Sequence, residues 1–203
     1  MRTTWGYTIE SEHLAPLLDI DRFNVITGGQ YKDAERVMAE IHAAGASIRN
    51  FVGWHLYPSE VCTLDVTATD RRVTPVGRDL MVQLPARHVT DVESVTVGGV
   101  EYTDYSFDPD GLLILYDLHL HHRRDHIVVT YTAGLDTEMM AAIHELVAHR
   151  VTHAIAVPAG ITSEASGGVS VTYNANWINN SRATALMGDN KELLIPYKVQ
   201  GVF

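Results

Sequence analysis

The spacing of apolar residues changes period along this chain. From residue 31 to 51 they fall at Val37, Met38, Ile41, Ala44, Ile48 and Phe51. Steps of three and four put them on one stripe, which predicts an amphipathic helix. Gly45 weakens it midway, and Pro58 closes the region. Between residues 61 and 132 the period falls to about two. Segments 61–69, 80–84, 92–97, 112–116 and 126–132 read as strands. Gly98-Gly99 predicts a tight hairpin between VESVTV and VEYTDY, and Asp108-Pro109-Asp110-Gly111 a second turn.

Helical spacing returns after residue 134. The stripe Met140, Ile143, Val147, Val151, Ala154 and Ile155 predicts a helix over 137–157, capped by Asp136 or Thr137 and ended by Pro158 and Gly160. Near the start, Thr8 or Ser11 is expected to cap a short helix carrying Leu14, Leu17 and Leu18, with 19–30 as a polar connection. Past the loop SEASGG come a strand VSVTYN, a short helix around 181–187, and a terminal KELLIPYKVQGVF in which Pro196 stops any helix. The expected fold class is α+β: a helical bundle with an antiparallel β-sheet or small barrel inserted between the second and third helices. Residues 1–58, 59–133 and 134–203 would form its three parts within one composite domain.

Composition narrows the function. The chain has 203 residues, a net charge of -10 and 46% hydrophobic residues, with a mean hydropathy of -0.02. Arg71-Arg72 and Arg123-Arg124 are isolated basic pairs, too few for a sequence-reading nucleic-acid binder. No run approaches a membrane span, and no apolar signal core opens the chain, so export and membrane insertion are not expected. Cys62 is the single cysteine and excludes an intrachain disulfide.

The histidines are the chemical temptation, since there are 11. His144-Glu145-Leu-Val-Ala-His149 resembles a zinc-protease helix, but its spacing is five rather than four. At about 100° per residue, the two imidazoles lie roughly 140° apart and cannot share a metal. His149 and His153 do have the spacing of four, yet with no third ligand or general base they read as a polar helix face. The run from His119 to His126 reads as a solvated loop, with a zinc or nickel site or a pH-responsive subunit contact as lesser readings. No nucleophile elbow, phosphate loop or dinucleotide fingerprint is present in the sequence. Catalytic, cofactor-binding and metal residues are therefore expected to be none, and the chain is not read as an enzyme.

Four passages carry a family resemblance: AAGASIRNFVGW; LPARHVTDVESVTVGGVEYTDY; DGLLILY through IVVTYTAGL; and ELVAHR through ITSEASGGVSVTYN, with LLIPYK near the end. In this order they resemble the head–tail connector, or head completion, proteins of long-tailed bacteriophages. The resemblance implies a structural virion protein of the neck, assembled in the host cytoplasm. It implies a homo-oligomeric ring of about twelve copies, closed by rotation of head-to-tail contacts. The ring would bind the portal protein and the next neck or tail protein, and genomic DNA would pass through without sequence-specific binding. A stopper or tail-completion protein is the alternative, and a small metal-dependent hydrolase built on the histidine clusters a more distant one. Expected interface residues are His149, His153, Trp177, Leu193, Leu194, Pro196, Tyr197 and Phe203, because such surfaces use aromatic and aliphatic anchors. Removal of the chain from Leu193 onward is expected to leave the core folded.

Overall fold

The structure is a computed structural model that describes residues 1–118, 125–156, 163–166, 169–172 and 191–199. In chain order its elements are β1 (Thr8–Ile9), α1 (Ile20–Thr27), α2 (Ala34–Val52), β2 (Glu60–Thr67), β3 (Val73–Val76), β4 (Asp79–Gln83), β5 (Val89–Val97), β6 (Val100–Glu101), β7 (Tyr105–Phe107), β8 (Leu112–Leu115), β9 (His126–Ala133), α3 (Ala141–Ala156), β10 (Ser163–Ser166), β11 (Val169–Thr172) and α4 (Lys191–Leu194). Short 3-10 turns at Thr137–Met140 and Ile195–Tyr197 flank α3 and α4. The chain divides into two compact units. One holds Met1–Ala15, Val52–Thr137 and the chain from Tyr197; the other holds Pro16–Phe51 and Glu138–Pro196.

The first unit is built from two antiparallel sheets. One has the order β1-β2-β9-β5-β6 and the other β3-β4-β8-β7. Alternation decides which face is buried: Cys62, Leu64 and Val66 of β2, and Ile127, Val129, Tyr131 and Ala133 of β9, all point inward. Register then aligns them in rows. Cys62 stands opposite Tyr131, which stands opposite Val92, and Leu64 opposite Val129, which stands opposite Val95. Each fully buried aliphatic side chain in these rows contributes about 1.5–3 kcal/mol relative to exposure.

Strand β5 breaks the alternation. Its buried residues are Val89, Val92 and Val95, a spacing of three. Register shifts between Val89 and Asp91, and again between Val92 and Ser94, each insert an extra residue and return the next valine to the same face.

The second unit holds the helices. Asp19 caps α1 by accepting from the Arg22 backbone N–H at 2.7 Å, and Gly28 closes it in the left-handed conformation, φ +67°. Helix α1 packs on α3, and α2 buries Val37, Ile41, Ala44 and Ile48. The Arg36 guanidinium donates to the Ile155 carbonyl at the end of α3, where the helix dipole favours a cation. The hairpin β10–β11 pairs Ser163 with Thr172 through Ser166 with Val169.

The expected helical bundle with an inserted sheet is overturned. The chain is mostly β, in two antiparallel sheets and a two-stranded hairpin, with four α-helices among the described residues, of which only α2 and α3 exceed three turns. The helix expected near residues 8–18 does not form. Thr8 and Ile9 instead pair with Thr63 and Cys62, and Leu17 and Leu18 are buried outside any helix. Tyr7 and Ile9 point inward around an exposed Thr8, so the local period there is two rather than 3.6. The first helix lies in what looked like a connection. Strands β1, β3 and β7 add edges that the sequence reading did not include.

Candidate assembly surface

The most specific passage of the resemblance, Tyr131-Thr132-Ala133-Gly134, forms a buried corner at the end of β9. Tyr131 is fully buried. The Ala133 carbonyl accepts from His55 Nε2 at 2.9 Å, which places that ring's proton on Nε2. His55 Nδ1 then accepts from the Tyr7 hydroxyl at 2.8 Å, and the Tyr7 oxygen accepts in turn from the His55 backbone N–H at 3.0 Å. Gly134 has φ +145°, and a Cβ there would lie 2.4 Å from Ser59 Cα and 2.5 Å from the Pro58 carbonyl oxygen. Only glycine allows the chain to pass this close. The passage is a structural clasp and offers no reactive group to solvent.

Cys62 fits the same description. Its thiol is fully buried, and burial, then Glu60, push its pKa up to about 12. Tyr131 is likewise pushed well above the usual phenol range, first by burial and then by its neighbour Cys62. Among the described residues its hydroxyl has no hydrogen-bond partner of ordinary geometry.

The histidines of α3 divide between inside and outside. His144 is buried and His149 is exposed, as expected for residues roughly 140° apart on a helix. Burial lowers the His144 pKa, Arg22 lowers it further, and Asp19 opposes this. His153 is exposed on the same face as His149, and their ring centroids lie 5.4 Å apart. His126, the one described member of the histidine-rich run, pairs with Asp65 at 2.7 Å in an exposed setting. Residues 119–124 lie outside the described residues, as do Trp177, Phe203 and the helix expected at 181–187. Among the described residues, no three His, Cys, Asp or Glu side chains are grouped to hold a metal ion. No described helix is long and apolar enough to cross a membrane.

The terminal segment is anchored to the rest of the chain. Trp54, fully buried, donates its Nε1–H to the Tyr197 carbonyl at 2.7 Å, and the Val199 N–H donates to the Val52 carbonyl at 2.9 Å. Leu194 and Val199 are buried, at 1% and 3% exposure. Leu193 and Ile195 stand outward at 53% and 56%, Pro196 is exposed, and Tyr197 is half-buried. Sequence reasoning did not separate the inward from the outward members of this segment. The short helix α4, followed by the turn Ile195–Tyr197, does so by alternating their directions. Val25 and Ile26 on α1 are further exposed aliphatic residues that sequence reasoning missed.

Charge is also distributed unevenly. The Tyr102 hydroxyl donates to the Tyr116 carbonyl. Its pKa is raised first by desolvation and then by the nearby carboxylates of Asp104, Asp117 and Asp79. The Asp117 N–H donates to Asp79 at 3.0 Å, and the Asp117 carboxylate pairs with Arg78 at 3.4 Å.

A comparison with curated proteins finds no match. The sequence profile of the head completion proteins matches residues 17–180, most of the chain and both of its units. On that match the chain belongs to the head completion protein family, and is a structural bacteriophage protein of the head–tail interface.

Proposed function

We propose that this chain is a connector subunit. Copies of it form a ring beneath the portal, join the filled head to the next neck or tail component, and leave a channel for DNA. The observation that carries this reading is the family match across residues 17–180. Physical features of the chain support it. Leu193, Ile195 and Pro196 stand outward on and just after the short helix α4, so aliphatic anchors are presented to a partner. His149 and His153 add exposed polar side chains on one face of α3. A net charge of -10 suits a conduit, because every Lys or Arg bound to phosphate must be released as DNA moves.

The double substitution Leu193→Asp with Ile195→Asp tests the contact. Both side chains are outward, so the thermal transition should stay within a few degrees of wild type. Portal binding should weaken by at least about 30-fold, the loss of a hot spot worth roughly 2 kcal/mol. Undiminished portal binding by this variant would count against a docking role for the segment.

A further inference from the structure

We propose that His149 and His153 form a chelating pair for a borderline divalent transition cation of the copper, nickel or zinc class. Both residues lie on α3, four positions apart, and both are exposed. That spacing places two side chains one turn apart on a single helix face. The ring separation makes the argument quantitative. Two imidazoles bound to one ion at about 2.0–2.1 Å, with a tetrahedral angle, have ring centres about 5.2 Å apart. The rings of His149 and His153 stand 5.4 Å apart, tilted by 52°. That separation is close to what a shared ion requires, and α3 already supplies the spacing.

Ligand type selects the ion. Imidazole favours copper, nickel and zinc, whereas magnesium and calcium require oxygen ligands. Glu145 lies one turn earlier on the same exposed face, where its negative charge adds to the attraction for a cation. Two protein ligands leave positions open for water. This is the geometry of an accessory surface site and not of a closed structural one. His144, five residues before His149, is buried and takes no part.

The test uses the full-length chain, purified without chelator and titrated with copper(II) at pH 7.5. The ring resonances of His149 and His153 are followed by NMR. They should broaden together at the first sub-stoichiometric additions. His149→Ala and His153→Ala should each weaken that binding step at least about tenfold, with an unchanged thermal transition. Wild-type affinity in either variant, or first broadening at other histidines such as the run from His119 to His126, would overturn the assignment.

Discussion

The Tyr7 hydroxyl and His55 are joined twice: the hydroxyl donates to Nδ1 at 2.8 Å and accepts from the His55 backbone N–H at 3.0 Å. Through Nε2, His55 then reaches the Ala133 carbonyl at 2.9 Å. Three distant parts of the chain meet in this one buried clasp. Tyr7→Phe should therefore cost about 1–3 kcal/mol, the penalty for leaving buried polar groups unpaired. Chemical denaturation measures it.

Tyr131→Phe should behave in the opposite way. The Tyr131 ring fills the sheet interior, but among the described residues its buried hydroxyl has no partner of ordinary geometry. Removing that oxygen keeps the packing and relieves the desolvation, so stability should stay level or rise by up to about 1 kcal/mol. A loss similar to that of Tyr7→Phe would show that the hydroxyl has a partner after all.

Gly134→Ala should fold poorly. The added methyl would lie 2.4–2.7 Å from atoms of Pro58 and Ser59, all backbone, at a φ that side chains rarely adopt. The cost should exceed the ~1 kcal/mol of an ordinary glycine replacement, because both strain and overlap must be relieved. The midpoint of urea unfolding is the readout.

The Cys62 thiol should be inert in the folded protein. With its pKa pushed up to about 12, roughly one molecule in 10⁴ carries a thiolate at pH 8, and the sulfur is fully buried as well. Modification by a disulfide reagent should be negligible over hours under native conditions and complete within minutes in denaturant. Rapid native labelling would place the thiol at the surface.

His144 makes the second unit sensitive to acid. Its pKa in the folded chain is lowered, by burial first and by Arg22 second, so the unfolded chain binds a proton more readily. Its contribution to stability is then complete above the unfolded value near 6.5, and declines as the pH falls from there toward the lower folded value. His144→Leu should flatten the stability profile just below about pH 6.5. An unaltered slope in that variant would assign the acid sensitivity to other groups.

Much of the β region was legible because alternation and turn chemistry agreed there. Gly98-Gly99 makes the β5–β6 turn, with Val97 opposite Val100, and the helical stripe over 137–157 corresponds to α3 and the 3-10 turn before it. What misled was context. Tyr7 to Ile9 is too short to announce a strand, and it becomes one only because β2 offers an edge. Asp19 and Gly28 are ordinary helix start and stop signals, but the polar residues between them concealed α1. The valines of β5 are spaced by three, which neither simple period explains; the two bulges do. In the terminal segment the sequence showed apolar residues but not their directions. Leu194 and Val199 are buried, so truncation before Leu193, at first expected to spare the core, should lower the melting temperature.

The central claim is the ring at the head–tail interface. Electron microscopy of the purified chain mixed with its cognate portal tests it most directly. The account predicts a closed ring of about twelve copies stacked coaxially on the portal, with an open channel along the axis. A chain that stays monomeric and never associates with portal would contradict it.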